Sequence, residues 1–225
     1  MGQIKENVER LFKEIHNKTI NKNLVIFGEI HGTKEIPDLL SKFLSEIAKE
    51  EDFNLCLEIP QEFQKNIEDF FRDKKFNDGR NSLEYFRLIQ SLKNLNKRYG
   101  RDIKIFCIDA KSNVIIDNKS NAQNTRERIM AGNITKHLNK KTFVILGCVH
   151  ASKNIIRFQE KIIVPTGNIL YKKLRDKMFS INILPIAGEF YNFGVKKITG
   201  NLDSPLNKGF DYILKIEEVT PCSFL

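Results

Sequence analysis

Apolar residues are concentrated in four short runs, and each run ends in a residue with an ionisable side chain. The runs cover residues 24–31, 55–58, 103–109 and 143–150 and are rich in Val, Ile, Leu and Phe. Continuous apolar runs of this length, bounded by turn residues, are typical of strands that are buried on both faces of a parallel sheet. The pattern therefore predicts four central strands.

The segments between these runs carry apolar residues at intervals of three and four, which is the spacing of amphipathic helices. Helices are predicted over residues 3–16, 36–47, 63–71, 85–95, 120–138 and 166–178, and further strands over 180–184 and 210–216. Alternation of strands and helices predicts an α/β fold, a three-layer sandwich with a mostly parallel central sheet flanked by helices.

Three segments do not follow either period. Residues 155–165 fit no single element, and a short edge strand over 162–165 is one interpretation. Residues 188–194 are predicted to form an aromatic loop bounded by glycines. Residues 111–120 are polar around a short apolar patch, which predicts a mobile loop over one edge of the sheet.

Length and composition indicate one domain over residues 1–225, because 225 residues with 41% hydrophobic content can bury one substantial core. No segment approaches the ~20 apolar residues of a membrane span, and the polar N-terminus lacks a signal-peptide apolar region. The four cysteines form no C-x-x-C pair, which favours reduced thiols over disulfides or structural zinc. We therefore expect a soluble cytoplasmic protein without a membrane partner.

The formal net charge of +9 raises the question of nucleic-acid binding. The basic residues, however, are spread over nearly every predicted helix, and no Arg-rich block or nucleic-acid motif is present. This spread argues against a nucleic-acid partner, and the positive charge favours a small-molecule ligand that is anionic or polar. The oligomeric state stays open.

Ionisable residues at the ends of the predicted strands define a candidate site. The ligand crevice of an open parallel sheet lies outside the carboxyl ends of its strands, so side chains at those ends should gather on one rim. The alternative is structural, because a strand-end His can simply cap a sheet and an Asp there is an ordinary cap. The residues concerned are Glu29, His31, Glu58, Asp109 and His150.

One basic residue falls on the apolar face of the predicted helix 120–138. Arg126 lies one turn before Met130 and one turn after Ala122, both of which belong to the apolar stripe. A guanidinium on a buried face needs a partner, since an unpaired buried charge is very costly. Arg126 either forms a structural ion pair or points at the acidic rim and holds a substrate oxyanion.

Four motifs occur together in an order known from one superfamily. They are G-E-I-H-G-T at 28–33, L-E at 57–58, R-E-R-I-M-A at 126–131 and G-C-V-H-A at 147–151. The sequence resembles the erythromycin esterase-like and ChaN-like group, with TraB/TIKI proteins as more distant relatives. The resemblance implies an α/β fold with a rim site formed by Glu29, His31, Glu58, Arg126 and His150. We add Asp109 and Glu127 as secondary site candidates.

The members of this group differ in their chemistry. The esterase branch hydrolyses a macrolide lactone with a His-activated water, the ChaN branch binds haem, and the TIKI branch contains metal-dependent proteases. The resemblance therefore fixes the position of the site better than its reaction.

The favoured hypothesis is a hydrolase that acts on an ester, lactone or amide bond of a small molecule. His31 or His150 would activate a water, Glu29 and Glu58 would orient it, and Arg126 would stabilise the oxyanion. The same two His and two Glu residues could instead hold a divalent metal such as Mn or Zn, whose bound water would be the nucleophile.

Three alternatives stay open at this point. The first is a non-catalytic protein that binds haem or another anionic ligand. The second is a nucleophilic Cys148 with His150 as its base. The third is a purely structural or interaction protein. The sequence does not decide whether the chain is an enzyme.

Overall fold

The computed structural model of the protein describes residues 2–112, 122–158, 161–198 and 204–225. The strands are β1 (Leu24–Glu29), β2 (Asn54–Pro60), β3 (Lys104–Asp109), β4 (Thr142–Gly147), β5 (Ile156–Phe158), β6 (Lys161–Ile163), β7 (Met178–Tyr191), β8 (Val195–Lys197) and β9 (Tyr212–Val219). The α-helices are α1 (Gly2–Thr19), α2 (Glu35–Glu50), α3 (Ile67–Arg72), α4 (Leu83–Tyr99), α5 (Ala122–Thr135), α6 (Cys148–Ala151) and α7 (Thr166–Leu174), and short 3-10 helices cover Gln61–Gln64, Arg175–Lys177 and Pro205–Gly209.

The central sheet confirms the predicted fold class. Its parallel strands lie in the order β3-β2-β4-β1-β7-β9, and β8 pairs antiparallel with the distal end of β7. Strands β5 and β6 form a separate antiparallel hairpin. Every residue of β1 and β2 is buried, as expected for strands covered on both faces.

Two hydrophobic clusters cover the opposite faces of the sheet and complete the three layers. On one face, side chains of α1, α2 and α4 pack with alternate strand residues, and Phe43 contacts the rings of both Phe27 and Phe143. On the other face, Met130 of α5 and Leu170 of α7 pack against Ile26 and its neighbours. Successive strand residues point to opposite faces, so each apolar run supplies both clusters.

Two predicted helices have different limits in the structure. The segment 63–71 is a 3-10 helix followed by α3, because the chain turns where the Asn66 N–H donates to the Phe63 carbonyl. The helix predicted to reach Met178 ends at Leu174, since Arg175 has a φ of +50°. Met178 belongs to β7 instead.

The segment 188–194 was predicted as a loop, but the structure shows that its first part is strand. Strand β7 continues to Tyr191 and turns back into β8, so the aromatic residues form a hairpin. Residues 161–163 are strand β6, which pairs only with β5 among the strands described. The loop predicted over residues 111–120 lies largely outside the described residues.

The predicted strand 143–150 is shorter in the structure. It ends at Gly147, and residues 148–151 form the short helix α6. Within the described parts of the chain, no helix is both long and apolar enough to cross a lipid bilayer.

Candidate active site

The parallel sheet brings the predicted rim residues together. Glu29 ends β1, Glu58 lies near the end of β2, and Asp109 ends β3. His31 follows β1 by two residues, and His150 lies on α6 directly after β4. Because β3, β2, β4 and β1 are neighbours in the sheet, these five side chains meet at one rim.

His31 lies between two carboxylates. Its Nδ1 contacts Glu29 Oε1, and its Nε2 is 3.4 Å from Glu58 Oε2. Burial alone would lower the pKa of His31, but the negative charges of Glu29 and Glu58 outweigh burial and raise it to about 10. His31 is therefore an imidazolium at neutral pH and is a poor general base.

The turn that presents His31 requires glycine at the next position. Gly32 has a φ of +86°, and a Cβ there would lie 1.8 Å from the Tyr191 carbonyl oxygen. The Gly32 carbonyl accepts hydrogen bonds from the backbone N–H groups of Tyr191 and Cys222. A left-handed backbone and this close approach are both incompatible with a side chain at residue 32.

His150 has a different environment. Its Nδ1 is 2.6 Å from Glu127 Oε1, and Glu127 is fully buried. The other Glu127 oxygen, Oε2, accepts hydrogen bonds from Thr166 at 2.8 Å from the backbone N and 2.7 Å from Oγ1, at the start of α7. Burial would raise the pKa of Glu127, but the hydrogen bonds from His150 and Thr166 lower it. Glu127, predicted only as a secondary residue, is the direct partner of His150.

Arg126 connects the acidic rim with His150. Its Nε and Nη2 donate to the two Asp109 oxygens, each at 2.7 Å, and Nη2 also donates to Glu58 Oε1 at 2.6 Å. Its Nη1 lies 3.1 Å from His150 Nε2. The two interpretations of Arg126 are thus not exclusive, because the guanidinium forms buried ion pairs and also faces the site.

This last contact fixes the tautomer of His150. A guanidinium carries donors only, so His150 Nε2 must accept the hydrogen bond from Arg126. The proton of a neutral His150 then lies on Nδ1, where it faces Glu127. The lone pair of His150 is on the nitrogen that faces the rim.

Glu58 is the centre of the site. Its Oε1 lies 3.6 Å from His150 Nε2, and its Oε2 accepts a hydrogen bond of 2.8 Å from the Gly147 backbone. Burial would raise the pKa of Glu58, but the nearby His150, Arg126 and His31 side chains lower it well below its usual range. Glu58 is an anion that both histidines share.

Sequence reasoning missed Arg80, which precedes α4. Its Nη1 donates to Asp109 Oδ2 at 2.9 Å and to the Glu58 carbonyl oxygen at 3.1 Å, while its Nη2 pairs with Asp78 at 2.7 Å. The only local signal is the turn sequence N-D-G at 77–79. Gly79 packs on the His31 loop, because a Cβ at residue 79 would lie 2.3 Å from Gly32 Cα.

The predicted metal ligands do not fit a divalent ion. No group of three His, Cys, Asp or Glu side chains within the described residues is arranged to hold a metal. The Glu58 oxygens are engaged by Arg126 and the Gly147 N–H, and His150 Nε2 faces a guanidinium that would repel a cation. The mechanism proposed below therefore uses neither Mn nor Zn.

Haem fits no better. The Nε2 atom of His150, the atom that would approach iron, accepts from Arg126.

The structure also argues against Cys148 as a nucleophile. Cys148 begins α6 instead of lying on a strand, and residues two apart on a helix do not face each other. Burial and the nearby Glu29 raise the pKa of the Cys148 thiol to about 11, so little thiolate exists at neutral pH. All four cysteines are free.

The sequence matches no protein-family model and no curated protein. The fold, however, is similar to that of a Bacillus cereus protein (14% identity, TM-score 0.72, covering 95% of this chain and 93% of that one). It is also similar to a succinoglycan biosynthesis protein (12% identity, TM-score 0.71, 94% and 92% covered) and to a variant of erythromycin esterase EreC in its open conformation (10% identity, TM-score 0.62, 84% and 78% covered). The relation to ChaN-like and TraB/TIKI proteins stays a prediction. At these identities the similarity concerns the fold, and the chain has an erythromycin esterase-like fold.

Proposed function

We propose that the protein hydrolyses an ester, lactone or amide bond of a polar or anionic small molecule. The observation that carries this proposal is the pair of histidines on either side of Glu58. His31 is held as a cation by two carboxylates, while His150 presents a lone pair at Nε2. A histidine held as a cation beside a histidine whose Nε2 accepts a hydrogen bond is an arrangement that acid–base catalysis can use.

In this mechanism His150 is the general base. A water takes the place of the Arg126 Nη1–H at Nε2 and transfers a proton to Nε2, and the water oxygen forms a bond to the substrate carbonyl carbon. Glu127, held by Thr166, keeps the ring oriented and stabilises the imidazolium that forms. When the tetrahedral intermediate collapses, the bond to the leaving group breaks and His150 returns the proton to it.

The positive charges of the rim would stabilise the oxyanion. A guanidinium has five N–H groups, and the contacts of Arg126 with Asp109, Glu58 and His150 use four of them. The remaining N–H, on Nη1, is next to the base and can donate to a developing oxyanion. His31 adds a second fixed positive charge at the same rim.

The test is a screen of p-nitrophenyl esters, aliphatic lactones and p-nitroanilides with the wild type and with His150→Gln. We expect hydrolysis of at least one class, and a fall of about 10²- to 10⁴-fold in kcat/KM for the variant because the general base is lost. Treatment with EDTA should leave the activity unchanged.

A matched control is His137→Gln, since His137 stacks on Phe106 and its carbonyl accepts from Asn54 at the opposite end of β2. This variant should keep full activity. The absence of hydrolysis of all three classes, or equal activity of wild type and His150→Gln, would contradict the proposal. A Soret shift with haemin that disappears in His150→Gln would favour ligand binding instead.

A further inference from the structure

Two antiparallel hairpins extend from the edge of the sheet that carries the candidate site. Strand β7 pairs with β1 only as far as Asn182 and then continues to Tyr191, where the chain turns back into β8. The β5–β6 hairpin lies between α6 and α7, the two helices that carry His150 and Thr166. The ligand crevice of a parallel sheet lies outside the carboxyl ends of its strands, so both hairpins are placed beside it.

The β7–β8 hairpin is hydrogen-bonded to two loops of the site. The Tyr191 N–H donates to the Gly32 carbonyl and the Phe193 N–H donates to the Asn77 carbonyl, each at 2.9 Å. The first of these loops carries His31, and the second leads into α4. The tip of this hairpin is therefore fixed against the site from the side of α2 and α4.

The β5–β6 hairpin is fixed from the other side of the sheet. Asn124 Nδ2 donates to the Ile162 carbonyl, and Asn124 Oδ1 accepts from the Val164 N–H, each at 2.9 Å. Asn124 lies on α5, two residues before Arg126. Since α5 and α4 cover opposite faces of the sheet, the two hairpins flank the site from both faces.

Exposed apolar side chains are concentrated on these hairpins. Among the side chains that the structure describes, seven large apolar ones are exposed, and four of them lie in or next to the two hairpins. The four are Ile155, Ile162, Phe193 and Val195. Single exposed apolar residues need no explanation, but a group of them beside a crevice marks a binding surface.

Phe193 is the most exposed of these residues and is also strained. Its side chain is part of a residue that is 69% exposed, and its backbone φ is +50°. A bulky residue other than glycine rarely adopts this left-handed conformation. Packing within the described residues does not compensate for the strain, because the residue is mostly in solvent. Strain of this kind at the edge of a site points to contact with a ligand.

The charge of the hairpins favours an anion. Residues 155–163 and residues 188–198 each contain two basic residues and one acidic residue, so each hairpin has a net charge of +1. The basic side chains are all exposed, and they are Arg157, Lys161, Lys196 and Lys197. A ligand that matches both features combines an apolar group with a negative charge.

We propose that the two hairpins form the outer walls of the substrate crevice and bind the apolar part of an anionic substrate, such as an acyl chain. Phe193 and Ile162 are the specificity-determining residues. This inference rests on the proposed hydrolase function. The hairpins cover no reacting atom, so their contacts stabilise the bound substrate and the transition state equally and should lower KM without changing kcat.

The first test compares p-nitrophenyl octanoate with p-nitrophenyl acetate in the wild type and in Phe193→Asn. Asparagine adopts a positive φ more readily than phenylalanine, so the Tm of the variant should be equal or higher. We expect KM for the octanoate ester to rise about tenfold with kcat unchanged, because contact with an apolar ring is lost. KM for the acetate ester should not change, and Ile162→Thr should have a smaller effect of the same kind.

The matched control is Ile20→Asn, since Ile20 is an exposed apolar residue that lies between α1 and β1, at the opposite edge of the sheet. This variant should keep the wild-type KM for both esters. Equal KM values of the wild type and Phe193→Asn for the octanoate ester would overturn the inference and leave the hydrolase proposal intact.

Binding of octanoate, followed by NMR, tests the hairpins without any turnover. Octanoate should shift the amide resonances of residues 161–163 and 191–195 in the wild type, and Phe193→Asn should bind it more weakly. Such binding by a protein that hydrolyses no ester would support the inference and contradict only the hydrolase proposal. The absence of these shifts would overturn the inference. Equal affinity for octanamide, which lacks the charge, or adsorption to phosphatidylglycerol vesicles without binding of free octanoate, would also overturn it.

Discussion

The two histidines of the site occupy mirror positions around Glu58 but have opposite electrostatic environments. Both have a carboxylate at Nδ1 and Glu58 near Nε2, but only His150 also has a guanidinium at Nε2, at 3.1 Å and closer than the 3.6 Å to Glu58. The same side chain is therefore held as a cation in one half and as a potential base in the other. The role of each histidine is therefore determined by the groups that face its Nε2 atom and not by the residue type alone.

The largest expected effect comes from removing the residue that joins the two halves. Arg126→Met would remove both hydrogen bonds from Arg126 to Asp109 and the hydrogen bond to Glu58 Oε1, and would leave Arg80 and His31 to balance the two carboxylates. We expect a loss of about 3–5 kcal/mol in the free energy of unfolding. Urea-induced unfolding measures this loss. Arg128→Met is the control, because Arg128 is exposed on the same helix and its replacement should change stability by less than about 0.5 kcal/mol. Equal effects of the two variants would show that the buried ion pairs contribute little.

Substitutions of Glu29, the partner of His31, and of Glu127, the partner of His150, test the two histidines separately. Glu29→Gln removes one of the two negative charges at His31, so the NMR titration midpoint of His31 should fall from about 10 by about 1 to 3. Glu127→Gln should leave that midpoint in place and instead lower kcat/KM on any substrate found. A His31 midpoint near 6.5 in the wild type would contradict the contrast between the halves.

The raised pKa of His31 predicts a pH dependence of stability. The folded state binds the proton more tightly than the unfolded state, whose His pKa is near 6.5. The stabilisation is therefore fully present below about pH 6.5 and is lost as the pH rises toward about 10. The difference in Tm between wild type and His31→Gln should shrink over this range. A difference that grows with pH would mean that His31 is neutral in the folded protein.

The smallest effect is expected from Thr166, which acts on His150 only through Glu127. Thr166→Val removes the Oγ1 donor and keeps the hydrogen bond from the backbone N–H to Glu127. The free energy of unfolding should therefore fall by about 1 kcal/mol. Nitrogen-15 shifts of His150 should show less of the Nδ1–H tautomer in this variant. Thr166→Ser keeps the hydroxyl and should restore the wild-type spectrum. Identical spectra for all three proteins would limit Thr166 to a role in packing.

The parts of the site that could be predicted follow from one geometric rule. Strand ends in a parallel sheet share an edge, so Glu29, Glu58 and Asp109 could be placed together before their neighbours were known. Arg126 could be identified because a charge on an apolar helical stripe needs a partner. The apolar runs likewise predicted the central strands, since their period is a local property of the chain.

The parts that could not be predicted depend on tertiary contacts. Arg80 reaches Asp109 from a loop 29 residues away in sequence, and Thr166 reaches Glu127 across 39 residues. The β7–β8 hairpin was missed for the same reason, because the local sequence of residues 188–194 is equally compatible with a loop and with a strand.

The contact between Gly32 and Gly79 has a dynamic consequence. The loop that carries His31 and the loop that precedes Arg80 touch backbone to backbone at these two glycines. A displacement of either loop must move the other, so His31 and Arg80 should move together. Slow exchange measured by NMR relaxation in the two loops should therefore have a single common rate, and any opening of the rim to admit a ligand would be concerted.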